Sequence, residues 1–461
     1  MKSLQFLVIL ALAHLVRSIN PIEVKGNAFW DSQTGSRFYI RGVDYQPGGS
    51  SELEDPLADT SVCERDIPYF QELGINTVRV YSIDNTRDHD ECMDKLAQAG
   101  IYVILDVNTP YSSITRSNSN CSYNSDYLNE VLATVQQFAV YDNTLGFFAG
   151  NEVINDGGSL EAAPYVKAVV RDMKTFIKNR GLRTIPVGYS AASVDEYRLS
   201  TGLYFNCGDD ELARIDMYGI NDYSWCGDAT MQSSQYPQIM SDFENYTIPV
   251  FFSEFGCNAH RPRPFTEIEV IYSEDMSSVF SGGLVYEYSE EESNYGLVSL
   301  SGNTPQTNDD FDNLQKEFNK TANPRGDGGA NSDTSSSGNN CPVKSSLWNV
   351  TEDIPDTPGG AIKYVRGLAE PSGHGFDAHV QQNCGGNNDV DDSDDYSHTI
   401  GASSRAPVAV ATSSGNAADA AASSSTGASA TTSSGSRSNE GHKVNAGIMG
   451  LIALIGGFAM I

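Results

Sequence analysis

From about Asn20 to Asn319 the chain alternates short, nearly continuous apolar runs with longer stretches whose apolar residues recur every three or four positions. The short runs are "FYIRGVDYQ", "TVRVYSI", "YVILDV", "GFFAGNEV", "IPVGYSA", "IDMYGIND", "IPVFFSEFG" and "GGLVYEYS". Continuous apolar runs of this length read as strands covered on both faces. Between them, "DYLNEVLATVQQFAVYD" and "AAPYVKAVVRDMKTFIKNR" carry the helical period. Eight strand–helix alternations over about 300 residues predict an α/β protein of the (β/α)8 TIM-type barrel class. An open doubly wound sheet is the alternative, but no GxGxxG or P-loop follows any run.

The pattern changes at both ends. Residues 1–18 place one lysine before an apolar run and end at Val16, Arg17 and Ser18, the layout of a secretory signal peptide; the run is shorter than the about 20 residues a membrane span needs. Beyond the barrel region, 19–321, residues 322–384 turn rich in Gly, Ser, Asn and Asp before a short apolar recovery. That recovery is too short for a core of its own and is expected to pack on the barrel. Residues 385–438 are acidic and then Ser/Ala/Thr-rich, the composition of a disordered stalk. Residues 439–461 end in an apolar tail after a polar spacer, which predicts a glycosylphosphatidylinositol (GPI) attachment signal, with a tail-anchored helix as the alternative.

Composition narrows the function. The chain has 29 basic and 60 acidic residues, a formal net charge of −31, and so lacks the basic footprint of a nucleic-acid binder. Eight cysteines in an exported chain predict disulfides. Asn120, Asn245, Asn319 and Asn349 each open an Asn-X-Ser/Thr sequon for N-glycosylation. No histidine cluster has metal-ligand spacing and no GxSxG is present, so neither a metal nor another cofactor is expected, and the protein is expected to be a monomer.

The candidate chemistry lies where apolar runs end in carboxylates. Glu152 closes the fourth run and Glu254 the seventh, three strand–helix units apart. In a (β/α)8 barrel both then face one cleft at the C-terminal ends of the strands. Paired carboxyls across a cleft cleave glycosidic bonds, one protonating the leaving oxygen and the other attacking the sugar or activating water. Glu152 is expected to be the acid, kept partly protonated, and Glu254 the nucleophile, with Asn151 placed for the sugar's 2-hydroxyl. Tyr45, Tyr81, Tyr223, Trp225, Tyr286, Tyr288 and Tyr295 are expected around the same face, as a groove of flat apolar surfaces.

Taken together, "GVDYQPGG", "VRVYSID", "YVILDV", "AGNEV", "PVGYSA", "YSWCG", "FFSEFGCN" and "GGLVYEYSEE" resemble the fungal 1,3-β-glucanosyltransferases of glycoside hydrolase family 72. The resemblance spans about Asn20 to Asn349. It implies a (β/α)8 barrel and a retaining enzyme that cuts inside a 1,3-β-glucan donor and passes the held fragment to the non-reducing end of an acceptor glucan. It places acid/base and nucleophile on Glu152 and Glu254, and sugar contacts on Gln46, Tyr81, Asp106, Asn151, Arg198, Tyr223 and Tyr286. One further contact falls near Arg198, where Ser193 and Asp195 compete. It also implies disulfides Cys63–Cys92, Cys226–Cys257 and Cys207–Cys341, leaving Cys121 and Cys384 unassigned. Only Cys341 and Cys384 follow the barrel, so the cysteine-rich carbohydrate-binding module of some members is missing. A hydrolytic 1,3-β-glucanase and a non-catalytic glucan-binding surface glycoprotein are the other functions considered. The location expected is the outer face of the plasma membrane or the cell wall.

Overall fold

The structure, a computed structural model, describes residues 19–49, 53–300, 304–333, 338 and 341–381. The expected leader, stalk and attachment signal, and Cys384, lie outside the described residues.

Eight parallel strands close a barrel in sequence order. They are β1 (Ile40–Asp44), β2 (Thr77–Val80), β3 (Tyr102–Asp106), β4 (Thr144–Asn151), β5 (Val187–Ala192), β6 (Met217–Asn221), β7 (Val250–Phe255) and β8 (Phe280–Val285). Every expected strand is present. The principal helices that follow them are α1 (Thr60–Leu73), α2 (Asp90–Gln98), α3 (Ser125–Phe138), α4 (Ala163–Asn179), α5 (Arg198–Phe205), α6 (Tyr236–Phe243), α7 (Glu267–Ile271) and α8 (Asp309–Lys320). Local signals set their ends. In α1 the Asp59 side chain accepts from the Ser61 N–H, and Gly74, at φ 74°, closes the last turn onto the Gln71 and Phe70 carbonyls. Helix α3 stops before the expected Asp142 because Thr144 Oγ1 donates to the Phe138 carbonyl, while Asn143 Nδ2 donates to Met93 and Ile101 carbonyls.

The barrel interior is layered by polarity. Toward the N-terminal ends of the strands, Ile40, Ile104, Leu145, Phe148, Met217, Phe251 and Leu284 pack with Ile22 and Phe29. Those last two come from a three-stranded antiparallel sheet, Ile22–Lys25, Ala28–Asp31 and Arg37–Phe38, which the apolar pattern does not reveal. Phe29 meets Phe251 edge-on at 5.8 Å. This plug leaves the polar strand residues at the opposite end, where barrel active sites form. Gly219 permits one close approach there, since a Cβ would stand 2.5 Å from Ser253 Oγ.

Residues 341–381 run back over the outer helices. Trp348 packs on Tyr204 at 5.7 Å, Thr357 Oγ1 donates to Asp172 Oδ1 at 2.7 Å, and His374 Nδ1 lies 2.7 Å from Glu130 Oε1. The segment then reaches the loop after β3, where the Val380 N–H donates to the Tyr111 carbonyl at 3.1 Å.

Candidate active site

Glu254 lies on β7 among Phe251, Phe252 and Phe255 and is itself buried. Its Oε1 accepts from the Tyr81 hydroxyl at 2.9 Å and from Arg79 Nη1 at 3.2 Å, and its Oε2 accepts from the Tyr223 hydroxyl at 2.8 Å. Burial pushes Glu254 up to about 7; the Arg79 guanidinium opposes that rise, the charge of Glu152 adds to it, and the Tyr223 and Tyr81 hydroxyls oppose it.

Arg79 projects from the middle of β2 and is fully buried. It forks onto Asp106, with Nε to Oδ1 at 3.1 Å and Nη2 to Oδ2 at 2.9 Å. Its guanidinium sits over the Tyr81 ring at 4.3 Å and the Phe148 ring at 4.9 Å. A planar cation with several donors is the side chain that can hold two carboxylates at once.

Glu152 follows the last residue of β4. Its φ of 49° puts the backbone in the left-handed region, a turn that is uncommon for a residue with a Cβ and is held here from both sides. The Glu152 N–H donates to the Ser190 carbonyl at 2.8 Å, and its carbonyl accepts from Arg116 Nη2 at 2.8 Å. The carboxyl accepts at Oε1 from Asn221 Nδ2 at 2.9 Å, and the same amide reaches Asn151 Oδ1 at 3.1 Å. Asn221 is fixed in turn by Ser253 Oγ at 2.8 Å and Ser190 Oγ at 3.1 Å, both donating to its Oδ1. With the Asn151 oxygen so engaged, its NH2 is the group left for a ligand.

The tyrosines divide into two sets. Around Tyr286, the Tyr81 and Tyr223 rings each stand edge-on at 6.4 Å and Tyr295 at 5.3 Å, forming a wall beside Glu254. Tyr45 and Tyr288 are not part of it. Their hydroxyls donate to Asp66 of α1 at 2.8 and 2.9 Å, in the layer between barrel and helices. Strand side chains alternate, so a position next to the inward Asp44 points outward. Trp225 likewise belongs to the packing, against Tyr236, with its Nε1 donating to Thr266.

Other expected contacts are engaged by protein. Gln46 is buried; its Oε1 accepts from the Tyr81 and Ser82 N–H groups at 3.2 Å each, and its Nε2 donates to the Glu54 carbonyl. Arg198 is buried and donates to Asp242, Asp195, Ser193 and Gln235. That group forms beyond β5, and Asp195, with 64% of its side chain accessible, and Gln235 are its exposed members. Asp106 meets the cleft through Arg79. Sequence reasoning missed Arg79, Asn221, Arg116 and the buried Asp44, although "TVRVYSI", "IDMYGIND" and "FYIRGVDYQ" carry three of them as polar residues inside apolar strands.

The structure pairs Cys63 with Cys92, Cys207 with Cys341 and Cys226 with Cys257, at Cα separations of 6.0, 5.1 and 5.1 Å. The last joins the loops after β6 and β7, and so ties the backbone carrying Tyr223 to that carrying Glu254. Cys121 is also disulfide-bonded. Asn120, Asn245, Asn319 and Asn349 are all exposed.

A closed eight-stranded α/β barrel that brings two glutamates within reach of each other's charge at the C-terminal ends of its strands, beside a tyrosine wall, has the equipment of a barrel enzyme for glycosidic bonds. The profile described as glucanosyltransferase, glycoside hydrolase family 72, matches residues 11–322, and the chain belongs to that family. It is 75% identical over 398 residues to "1,3-beta-glucanosyltransferase PGA4" of Candida albicans, covering 86% of this chain and 88% of the relative. To "1,3-beta-glucanosyltransferase GAS5" of Saccharomyces cerevisiae it is 56% identical over 366 residues, 79% of this chain and 75% of the relative. The structure of Saccharomyces cerevisiae Gas2p in complex with laminaritriose and laminaritetraose aligns with a TM-score of 0.69 at 42% identity, covering 74% of this chain and 78% of that one.

Proposed function

We propose that this chain elongates 1,3-β-glucan by transglycosylation with retention at the anomeric carbon. Glu152 protonates the glycosidic oxygen while Glu254 attacks C1, forming a glycosyl ester and freeing the reducing-end fragment. Glu152, now ionised, takes the proton from the 3-hydroxyl at an acceptor's non-reducing end; that oxygen attacks C1, and Glu254 leaves. Asn151 is assigned the 2-hydroxyl, and the wall of Tyr81, Tyr223, Tyr286 and Tyr295 the sugar faces. The observation that carries this reading is the triple clasp of Arg79, Tyr81 and Tyr223 on Glu254. All three are donors, and they favour the ionised carboxylate a nucleophile must be against the burial that raises Glu254.

Transfer rather than hydrolysis requires that a bound, oriented acceptor outcompete water, and the aromatic wall supplies the surface for it. A 1,3-β-glucan oligosaccharide incubated with the mature protein is expected to give both shorter and longer chains with no net gain of reducing ends. Shorter products alone, even at high acceptor concentration, would establish the hydrolase instead.

We assign residues 19–321 to catalysis, 322–384 to the packed extension and 385–438 to a stalk. Residues after about Ser438 are then replaced by a GPI lipid that holds the enzyme at the outer membrane face. Phosphatidylinositol-specific phospholipase is expected to release the protein from intact membranes; retention together with a mature C-terminus at Ile461 would favour a tail helix.

A further inference from the structure

The centre of the barrel holds more acid than base. Arg79 faces three buried carboxyls, Asp44, Asp106 and Glu254; a fourth, Glu287, lies beside Asp44, is pushed up to about 11 chiefly by burial, and adds no charge. Asp44 ends β1, is fully buried, and pairs in register with Arg79 on β2. The groups around it come from several elements: Arg79 and Tyr81 from β2 and its end, Asp106 from β3, Tyr223 after β6, Glu254 from β7 and Glu287 after β8. Three ionised carboxylates around one guanidinium would bury an excess of negative charge, which a buried site disfavours strongly. At least one proton must therefore reside in the centre.

Its location follows from counting donors. Glu254 accepts from three donors, and Asp106 takes both arms of the Arg79 fork. Among the described residues neither carboxyl oxygen of Asp44 has a hydrogen-bond partner of ordinary geometry, although the Tyr81 hydroxyl lies beside it. A carboxylate without donors is the costliest to ionise, and a carboxylic acid there gains a use for its hydrogen.

We propose that Asp44 is a positioning residue that carries the excess proton of this centre, so that Glu254 stays ionised for attack. The neutral acid donates to the Tyr81 oxygen, and Tyr81 keeps its own hydrogen on Glu254. The result is a directed chain from Asp44 through Tyr81 to Glu254, in which each bond strengthens the next. Burial, the largest influence, holds Asp44 well above the usual carboxylate range; Arg79 and the Tyr81 hydroxyl work against this, and the charges of Glu254 and Asp106 reinforce it. The inference deepens the reading of Glu254 as nucleophile and rests on it.

Infrared spectroscopy separates the possibilities, because a buried carboxylic acid has a carbonyl stretch that a carboxylate lacks. In ligand-free protein at mildly alkaline pH, where Glu254 is ionised, the aspartic-acid component of that band should be missing from Asp44→Asn and present in Glu254→Gln. In the wild-type protein it should shift when aspartate, and not glutamate, carries a 13C carboxyl, which keeps the test independent of whether a variant folds. A band lost in Glu254→Gln and kept in Asp44→Asn would overturn the proposal. The pH profile supplies a second reading. The acid limb of kcat/KM, set by ionisation of Glu254, should stay in place in Asp44→Asn, because one neutral group replaces another. Were Asp44 an anion beside Glu254, its removal would move that limb down by about one pH unit or more, and that result would also overturn the proposal. An active Glu254→Gln enzyme would instead remove the nucleophile reading, while the infrared result would still report where the proton sits.

Discussion

Glu254→Gln is expected to abolish transfer, with a fall in kcat of roughly 10³-fold or more, and Glu152→Gln to lower it by about 10²–10⁴-fold. The two losses should differ in kind. A donor with a good leaving group needs no acid for its departure, so such a donor should restore formation of the glycosyl ester in Glu152→Gln. Nothing about the leaving group can replace the attacking carboxylate, so Glu254→Gln should stay inactive on the same donor. Both variants should keep the fold, since glutamine occupies the same volume. Steady-state rates on natural and activated 1,3-β-glucan donors, with circular dichroism as the control for folding, make the comparison. An active Glu254→Gln protein would remove that residue from the chemistry.

The largest effect on stability is expected from Arg79→Leu. Removing this cation leaves Asp106 and Glu254 buried without their ion-pair partner, and breaking a buried pair from one side costs about 3–5 kcal/mol. The effect has a sign in pH. Without Arg79, buried carboxyls bind protons more tightly in the folded than in the unfolded state. Stability is then present below the unfolded carboxylate range and is lost as pH rises through the raised folded values. Denaturant unfolding should accordingly show a small deficit at about pH 4 that grows toward about pH 8. Arg79→Lys should fall between the two, because an ammonium cannot fork onto Asp106 while reaching Glu254. A deficit below about 1 kcal/mol, or one flat in pH, would mean that Arg79 does not compensate these carboxyls.

Why some of this was legible in the sequence and some was not follows from particular residues. The eight strands could be read because a parallel barrel buries both faces of each strand, which leaves continuous apolar runs. Glu152 and Glu254 could be read because a charge closing such a run is conspicuous. Arg79 and Asp44 are equally plain as letters but lie inside their apolar runs rather than closing one. Their value lies in partners on other strands, which one segment cannot display. Tyr45 and Tyr288 read as cleft residues because they stand at strand ends, but the two-residue alternation from Asp44 sends Tyr45 to Asp66, which Tyr288 also meets. Gln46 and Arg198 came from family resemblance, and only the folded chain shows their hydrogen bonds already taken by Glu54, Tyr81, Asp195 and Asp242. The N-terminal sheet escaped because its strands span only four, four and two residues, too short for a period to register.

The most direct test of the account is to trap the intermediate. An activated 1,3-β-glucan oligosaccharide donor carrying 2-fluoro substitution at its reactive sugar should form the ester readily and release it slowly. After digestion, mass spectrometry is expected to find one glycosyl group, attached to the peptide containing Glu254, and an acceptor glucan should discharge it as a lengthened chain with the β-configuration retained. A label on any other residue, or a transfer product of inverted configuration, would contradict the double displacement on which the account rests.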